Sequence, residues 1–462
     1  LKVLLATFWN DSLASGVTSY IRQLKQGLER QGHEVGLCAQ RNRQVFHVDC
    51  TGHEVLQVQL PRLFSLKLND TYSRHFPYID PWVMKYERDR YEYELSALSF
   101  DLTSYDVIHT QDVVSTRAFA RIKPKNVPLV ATVHGCFTRE SGLDRRRSPE
   151  LWEYYANLER VGVLSADRAI MPTHWLKNLF ARDFFIPPEG VTTIPYGMDV
   201  HGFRQKVNEA TDISVPANKK VIVCSARLTR VKGHYTLIQA LYELKKKRKD
   251  WVCLFLGDGP LRRQLEHNSR LYGLGEDVQF LGDRLDVPAI LGQADIFVLP
   301  SLMDNHPFAL MEAQVAGTAV VTSDAGGIPE MVSHEETGLI SPAGHPKPLA
   351  EQMNRLLSDR PLRQRLSQKA RIWGEQAWNM EAMLKRITQV YETVLSKGGS
   401  GVQTQDPFKG VPFTVDLTKL GVDTKVWRNI IESLPENYRI PDPAFVQLLQ
   451  KYGRKGSRHV KK

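Results

Sequence analysis

Short apolar runs alternate with stretches whose apolar residues recur at helical spacing, and this alternation fills most of the chain. Lys2 to Thr7 is an apolar run of strand length. After Ser15-Gly16, the residues Val17, Tyr20, Ile21, Leu24 and Leu28 fall on one helical face, Gly32 closes that helix, and Glu34 to Ala39 is the next strand. Strand, helix and strand in this order form a βαβ unit, which implies a parallel sheet covered by helices. Val107 to His109, Leu129 to Val133 and Ala169 to Met171 continue the series. A second series follows: Val221 to Ser225, Trp251 to Leu256, Val278 to Leu281, Ile296 to Leu299 and Ala319 to Thr322, with helical stretches such as Tyr235 to Lys246 and Pro260 to Tyr272 between them. The pattern predicts an α/β protein of two successive halves, hinged at Ile194-Pro195-Tyr196-Gly197-Met198-Asp199, where Pro and Gly favour a turn.

The predicted organisation is a first domain over residues 1–195, a second over 196–376 and a closing helix over 377–396 that packs back toward the first domain. A flexible linker over 397–405 and a small tail over 406–462 follow. Two segments break the α/β pattern. Pro61 to Leu95 holds Phe64, Tyr72, Phe76, Tyr78, Trp82, Tyr86, Tyr91 and Tyr93 among many charges. It is either an acceptor-binding insertion with exposed rings or a helical excursion that packs its rings inside. The tail follows Lys397-Gly398-Gly399-Ser400-Gly401, whose composition is that of a flexible linker. It carries two amphipathic sets, Val426-Trp427-Ile430-Ile431-Leu434 and Phe445-Leu448-Leu449-Tyr452. Few such short segments are stable alone, and the linker fits a natural appendage or an engineered fusion equally. The tail is expected to be dispensable for the chemistry.

Composition narrows the function classes. Of 462 residues, 42% are hydrophobic and 24% charged, enough for buried cores and too apolar for a disordered chain. No apolar stretch approaches the ~18 residues of a membrane-crossing helix, and the opening run turns polar too early for a signal peptide. Five scattered cysteines without a Cys-x-x-Cys pair argue against a disulfide framework or a zinc ribbon and fit a cytoplasmic setting. The net charge of +10 is concentrated in the tail, and the mildly basic body suits phosphate-bearing ligands or peripheral contact with an anionic inner-membrane surface. Nucleic acid is not an expected partner.

The chemistry-bearing residues cluster where strands give way to helices. Ser301 to Ala313 follows the run ending at Leu299 and holds two carboxylates, Asp304 and Glu312, across a strand-to-helix turn. Ligands of open α/β sheets bind outside the carboxyl ends of the strands, and the unpaired N–H groups of a new helix favour phosphate. Arg227 and Lys232 occupy the loop after Val221 to Ser225, where a planar fork and a point charge suit a diphosphate. Gly16 opens a helix, and His109 and His134 end two strands; Gly135 leaves room for a ligand beside His134. The sequence has no Asp-x-Asp, no Gly-x-x-x-x-Gly-Lys-Ser/Thr loop, no Gly-x-Ser-x-Gly elbow and no His-Glu-x-x-His.

Arg227-Leu228-x-x-x-Lys232-Gly233, the Asp304 to Glu312 block, Gly326-Gly327-Ile328-Pro329-Glu330 and the hinge occur in an order and spacing that resembles the retaining nucleotide-sugar glycosyltransferases of family 4. The resemblance covers residues from about 2 to 395. It implies the GT-B fold, two Rossmann-like domains facing each other across a cleft, and sugar transfer from a nucleoside-diphosphate sugar with retained configuration and no required metal or other cofactor. UDP is the favoured nucleotide. Carried over by position, Arg227 and Lys232 hold the diphosphate, Glu312 binds the ribose hydroxyls, and Asp304 lies beside the donor sugar. Phe308, Ala309 and Leu310 offer backbone N–H groups, Phe280, Leu281 and Gly282 frame the base, Gly16 meets the diphosphate, and His134 lies near the sugar. The catalytic set is thus Asp304, His134, Arg227 and Lys232. Many members have Glu at the place of Asp304 and a double glycine at Ser15-Gly16. The expected partners are a nucleotide-sugar donor and an acceptor left open among saccharide, lipid-linked, small-molecule and protein classes. An epimerase or hydrolase on the same fold, or a non-catalytic sugar-binding scaffold, is the alternative; the intact basic pair and both carboxylates argue against the scaffold.

Overall fold

A computed structural model of the chain describes residues 1–10, 16–41, 44–55, 62–142, 148–397, 413–420 and 425–453. Two compact units emerge: Leu1–Met171, Lys177–Thr193 and Arg386–Lys462 form the first, Pro172–Leu176 and Ile194–Lys385 the second.

In the first unit the strands are β1 (Lys2–Asn10), β2 (Glu34–Arg41), β3 (Gln44–Val48), β4 (Glu54–Val55), β5 (Val107–Thr110), β6 (Leu129–Thr132), β7 (Arg168–Met171) and β8 (Val191–Thr193). Their order in the sheet is β4-β3-β2-β1-β5-β6-β7-β8. From β2 to β8 through β1 the pairs are parallel, and β3 and β4 extend the β2 edge as an antiparallel ribbon. Val3, Leu4, Leu5 and Ala6 are fully buried, as a central parallel strand covered on both faces requires.

The aromatic segment is two helices, Arg62–His75 and Pro81–Ala97, the second started by Asp80, whose carboxylate accepts the Trp82 N–H. Phe64, Tyr72, Phe76, Tyr91 and Tyr93 are buried, so these rings form core. Tyr78 and Trp82 alone of this group are well exposed, at 54% and 57%.

The sequence reading of the tail as a separate piece needs correction: residues 413–420 and 425–453 are part of the first unit. The linker motif at 398–401 lies outside the described residues. Phe413 stacks on His75 and meets Tyr72 and Phe76, Trp427 packs on Phe64, and Phe445 packs on Tyr154. The tail helices Lys425–Glu432 and Pro443–Gly453 bury Trp427, Ile430, Phe445 and Leu449. Asp442 is fully buried. Its carboxylate accepts bonds from Arg90 at 2.9 Å and from Arg117 at 2.7 and 2.8 Å, and pairs with Arg121 at 3.1 Å. Arg90 also binds Glu87 and Glu94 at 2.8 Å, and Arg121 binds Glu94 at 2.9 Å. Three guanidinium groups thus face three carboxylates, and the tail provides one of the three. An isolated amphipathic segment cannot bury such faces alone; here the helices at 62–97 supply the other half.

In the second unit the strands are β9 (Lys220–Ser225), β10 (Trp251–Leu256), β11 (Val278–Gly282), β12 (Ile296–Leu299), β13 (Ala319–Ser323) and β14 (Leu339–Ser341). They form one parallel sheet in the order β11-β10-β9-β12-β13-β14. Five of these were predicted to within a residue or two. Their side chains join Leu237, Leu241, Met353 and Leu356 of the covering helices in one apolar core. Among the described residues no helix is long and apolar enough to cross a membrane.

Candidate functional site

The second sheet grows outward in one direction from β9 through β11 and in the other from β12 through β14. The order therefore reverses between β9 and β12, the place where open α/β sheets bind ligands. The loops leaving these two strands are neighbours, since the N–H of Leu302 donates to the carbonyl of Val231 at 2.7 Å.

Arg227 lies on the first of these loops. Its side chain is exposed and has no hydrogen-bond or ion-pair partner among the described residues. Lys232 points to the second loop, where its Nζ lies 2.6 Å from Asp304 Oδ2. Ser301 Oγ donates to the same oxygen at 2.9 Å, and the Asn305 N–H donates to Oδ1 at 3.1 Å. The pair is largely covered, with 24% and 10% of the two side chains exposed. Two glycines allow this approach. Gly233 has φ 69° and a Cβ there would lie 1.9 Å from the Pro300 carbonyl oxygen; Gly326 has φ 61° and a Cβ would lie 1.9 Å from that of Asp304.

The helix Phe308–Ala316 begins directly after this loop. Pro307 precedes it and no side chain caps it. The three N–H groups assigned from the sequence divide here. Leu310 already donates to the Pro307 carbonyl at 3.2 Å, so that part of the assignment is corrected; Phe308 and Ala309 have no partner among the described residues. Glu312, one turn in, is half-buried and without a hydrogen-bond or ion-pair partner among the described residues. Burial pushes its carboxyl up to about 7, because nothing compensates the desolvated charge. Phe280 and Leu281, on edge strand β11, are half-buried; Phe280 stacks on Phe255 at 4.8 Å and its carbonyl accepts from Arg262 at 3.0 Å.

The remaining predicted residues belong to the first unit. Gly16 is the first residue of the helix Gly16–Arg30, and Ser15 lies outside the described residues. His134 sits just past β6, half-buried, with Nε2 3.2 Å from Gln111 Oε1 and its ring edge-on to Tyr20. Burial lowers its pKa to about 3, so it is a neutral imidazole at physiological pH. His109 is structural: its nitrogens bond Tyr391 and Thr132, both at 2.7 Å. Glu330 likewise serves the fold, accepting the N–H groups of His174 and Trp175 at a helix start.

Sequence reasoning missed four residues around this site. Ser301 shares Asp304 with Lys232. Tyr196 stacks on Phe308 and packs on His306, whose ring Trp378 meets edge-on. Ser301, His306 and Tyr196 lie within stretches the sequence singles out, but the ring contacts of Tyr196 and Trp378 join residues far apart in sequence and leave no local pattern.

Comparison with known proteins adds independent findings. Residues 14–201 match the family model described as Glycosyltransferase Family 4, and residues 207–373 match that of Glycosyl transferases group 1. A curated relative, an uncharacterized glycosyltransferase of Methanocaldococcus jannaschii, is 25% identical over 412 residues, covering 86% of this chain and all of the relative. Among solved structures, sucrose-phosphate synthase from Thermosynechococcus elongatus superposes with a TM-score of 0.66 at 21% identity, covering 86% of this chain and 99% of the other. Anabaena HepE, solved in complex with UDP, gives 0.60 at 20% identity, covering 85% of this chain and all of the other.

Proposed function

Given that the chain belongs to the glycosyltransferases of family 4 and group 1 and has their two-domain, Rossmann-like GT-B fold, we propose that it transfers a hexose from a UDP-sugar, with retention and without a required metal. The observation that carries this is the β9/β12 switch point, where Arg227 and Glu312 are ionisable residues without partners among the described residues, beside the Lys232–Asp304 pair. The UDP bound to the similar Anabaena protein supports the choice of nucleotide.

The residues act as follows. As the glycosidic bond breaks, negative charge grows on the leaving diphosphate. Arg227, Lys232 and the Phe308 and Ala309 N–H groups stabilise that charge, and such preorganised donors need no reorganisation during the reaction. Asp304, held by Lys232 and Ser301, orients the donor sugar, and neutral His134 acts as a hydrogen-bonding group rather than a cation. With no carboxylate assigned as nucleophile, the leaving phosphate assists attack on the same face. The test is release of UDP from a UDP-sugar with a panel of acceptors, in the presence and absence of EDTA. Turnover is expected to survive the chelator; loss restored by magnesium or manganese overturns the metal-free reading, and release without any acceptor dependence favours a hydrolase.

Glu312 gives a pH signature. Its carboxylate is assigned to the ribose hydroxyls, so donor binding favours the ionised form of a group that titrates at about 7. Donor affinity is expected to fall as pH drops below about 7, approaching tenfold per pH unit, and to level off above it. A UDP-sugar suits this titration because its diphosphate diester does not ionise in that window. Glu312→Gln should flatten the profile and raise KM more than it lowers kcat, since a ribose contact is common to ground and transition states. A pH-independent wild-type affinity rules the assignment out.

The acceptor is assigned to the first unit, where the exposed rings of Tyr78 and Trp82 suit stacking on a saccharide. The double change to Ala is expected to raise acceptor KM several-fold with donor affinity unchanged; equal acceptor kinetics would remove these rings from the acceptor site.

A further inference from the structure

We propose that Tyr196 and His306 are positioning residues, an aromatic brace that sets the loop carrying Asp304 and the first turn of the helix carrying Glu312. The inference rests on the assignment of the donor to that helix and names residues that the donor itself does not need to touch.

The brace begins on the segment where the chain enters the second unit. That segment is pinned by backbone: the Met198 N–H donates to the Trp378 carbonyl at 2.9 Å, and a Cβ on Gly197 would lie 2.7 Å from Met380 Cα. The Tyr196 ring therefore starts from a fixed origin. It lies nearly parallel to the Phe308 ring, 5.3 Å between centroids with planes 15° apart, and 4.9 Å from the His306 ring. Trp378 closes the other flank of His306 edge-on at 4.9 Å. The indole N–H of Trp378 donates to Gln314 Oε1 at 2.8 Å, and the Gln314 amide donates to the Met331 carbonyl at 2.8 Å. The helix is thus held at its first residue by Tyr196 and two residues beyond Glu312 by Trp378.

Tyr196, His306 and Trp378 are buried and Phe308 is half-buried, so the stack is largely shielded from water. His306 contributes as a ring and not as a charge, since burial keeps it neutral. Phe308 provides one of the two N–H groups at the helix start that have no partner among the described residues, and it follows Asp304 by one short turn. A shift of Tyr196 therefore moves both the anion-binding N–H groups and the carboxylate paired with Lys232. Donor stabilisation of this kind depends on geometry, and stacked aromatic pairs are worth about 0.5–1.5 kcal/mol beyond their buried area, equivalent to roughly two- to tenfold in an equilibrium.

The experiment compares Tyr196→Leu, Tyr196→Phe and, as an independent variant, His306→Leu in the full chain. Two readouts are taken: backbone hydrogen exchange without ligand, and affinity for UDP by calorimetry. Tyr196→Leu and His306→Leu are expected to speed exchange at residues 305–310 by roughly three- to tenfold while β9–β14 stay protected, and to weaken UDP by a similar factor. Tyr196→Phe, which keeps the ring, should restore both. Unchanged exchange at 305–310, or a uniform increase across the whole unit with a lowered Tm, overturns the brace. If the loop loosens as expected but the wild-type protein binds no UDP, GDP or ADP, the brace stands and the donor assignment falls.

Discussion

Asp442→Ala is expected to destabilise the first unit by about 3–5 kcal/mol, the range for breaking a buried ion pair by removing one partner. The cause is a charge count. Arg90, Arg117 and Arg121 surround Asp442, and only Glu87 and Glu94 would remain to balance them. Asp442→Asn should also be costly, since it keeps the shape and removes the charge. Glu436→Ala, an exposed change in the same segment, should stay within about 0.5 kcal/mol. Urea unfolding followed by hydrogen exchange of β1 and β5 separates the first unit from the second. Truncation after Ser396 is expected to leave the first unit unable to fold; a truncated chain with native exchange protection in β1 would show that the tail only decorates it. The same network sets an acid limit. The three arginines hold the Asp442 carboxyl well below its usual range. Its folded pKa lies below its unfolded one, so its stabilisation is present above about pH 4 and is lost as pH falls toward the folded value. Acid unfolding should therefore begin in the first unit.

Arg227→Ala is expected to lower kcat by ~10²–10³, equivalent to about 3–4 kcal/mol, the usual loss on removing one preorganised donor to a developing negative charge. Donor affinity should change much less, because charge on the diphosphate grows only as the bond breaks. Lys232 should behave differently, a distinction the structure introduces. Arg227 is unpaired among the described residues, so its removal subtracts one interaction. Lys232 is tied to a largely covered Asp304, so Lys232→Ala also strands a carboxylate. A double-mutant cycle with Asp304→Asn is expected to give strong coupling for Lys232 and near-additivity for Arg227. Presteady-state and steady-state kinetics with a UDP-sugar supply the numbers. An Arg227→Ala enzyme within a few-fold of wild-type kcat would remove Arg227 from the leaving-group clamp.

The legible parts of the fold were those with strong local periodicity. β9 to β13 are predominantly apolar runs and were predicted almost residue for residue. β3 and β4 escaped because a short ribbon such as Gln44–Val48 mixes polar and apolar positions, and β14 because three residues carry no period. The aromatic segment was ambiguous for a physical reason: helices buried between a sheet and a distant tail are apolar on more than one side, which blurs the amphipathic signal. Residues on strand-to-helix loops could be placed, since Arg227, Lys232, Asp304 and Glu312 stand where the sequence put them. Their pairing could not, because which cation takes Asp304 and which stays free is decided by loop backbone. Asp442 was the largest omission. In Pro441-Asp442-Pro443 it reads as an ordinary turn residue, and its three arginine partners lie more than 300 positions away.

That distance bears on how the protein is made. A chain synthesised from its N-terminus exposes β1 and the arginine-bearing helices long before Asp442 exists. At ~5–20 residues per second the interval is on the order of tens of seconds. The second unit, drawn from Pro172–Leu176 and Ile194–Lys385, is complete in sequence during that wait. The unit whose sequence begins first therefore finishes after the second, with three cations held short of one carboxylate until Asp442 emerges. A ribosome that stops before Asp442 releases a nascent chain whose first unit still lacks its counter-charge, which makes that unit's folding a check on synthesis as far as Asp442.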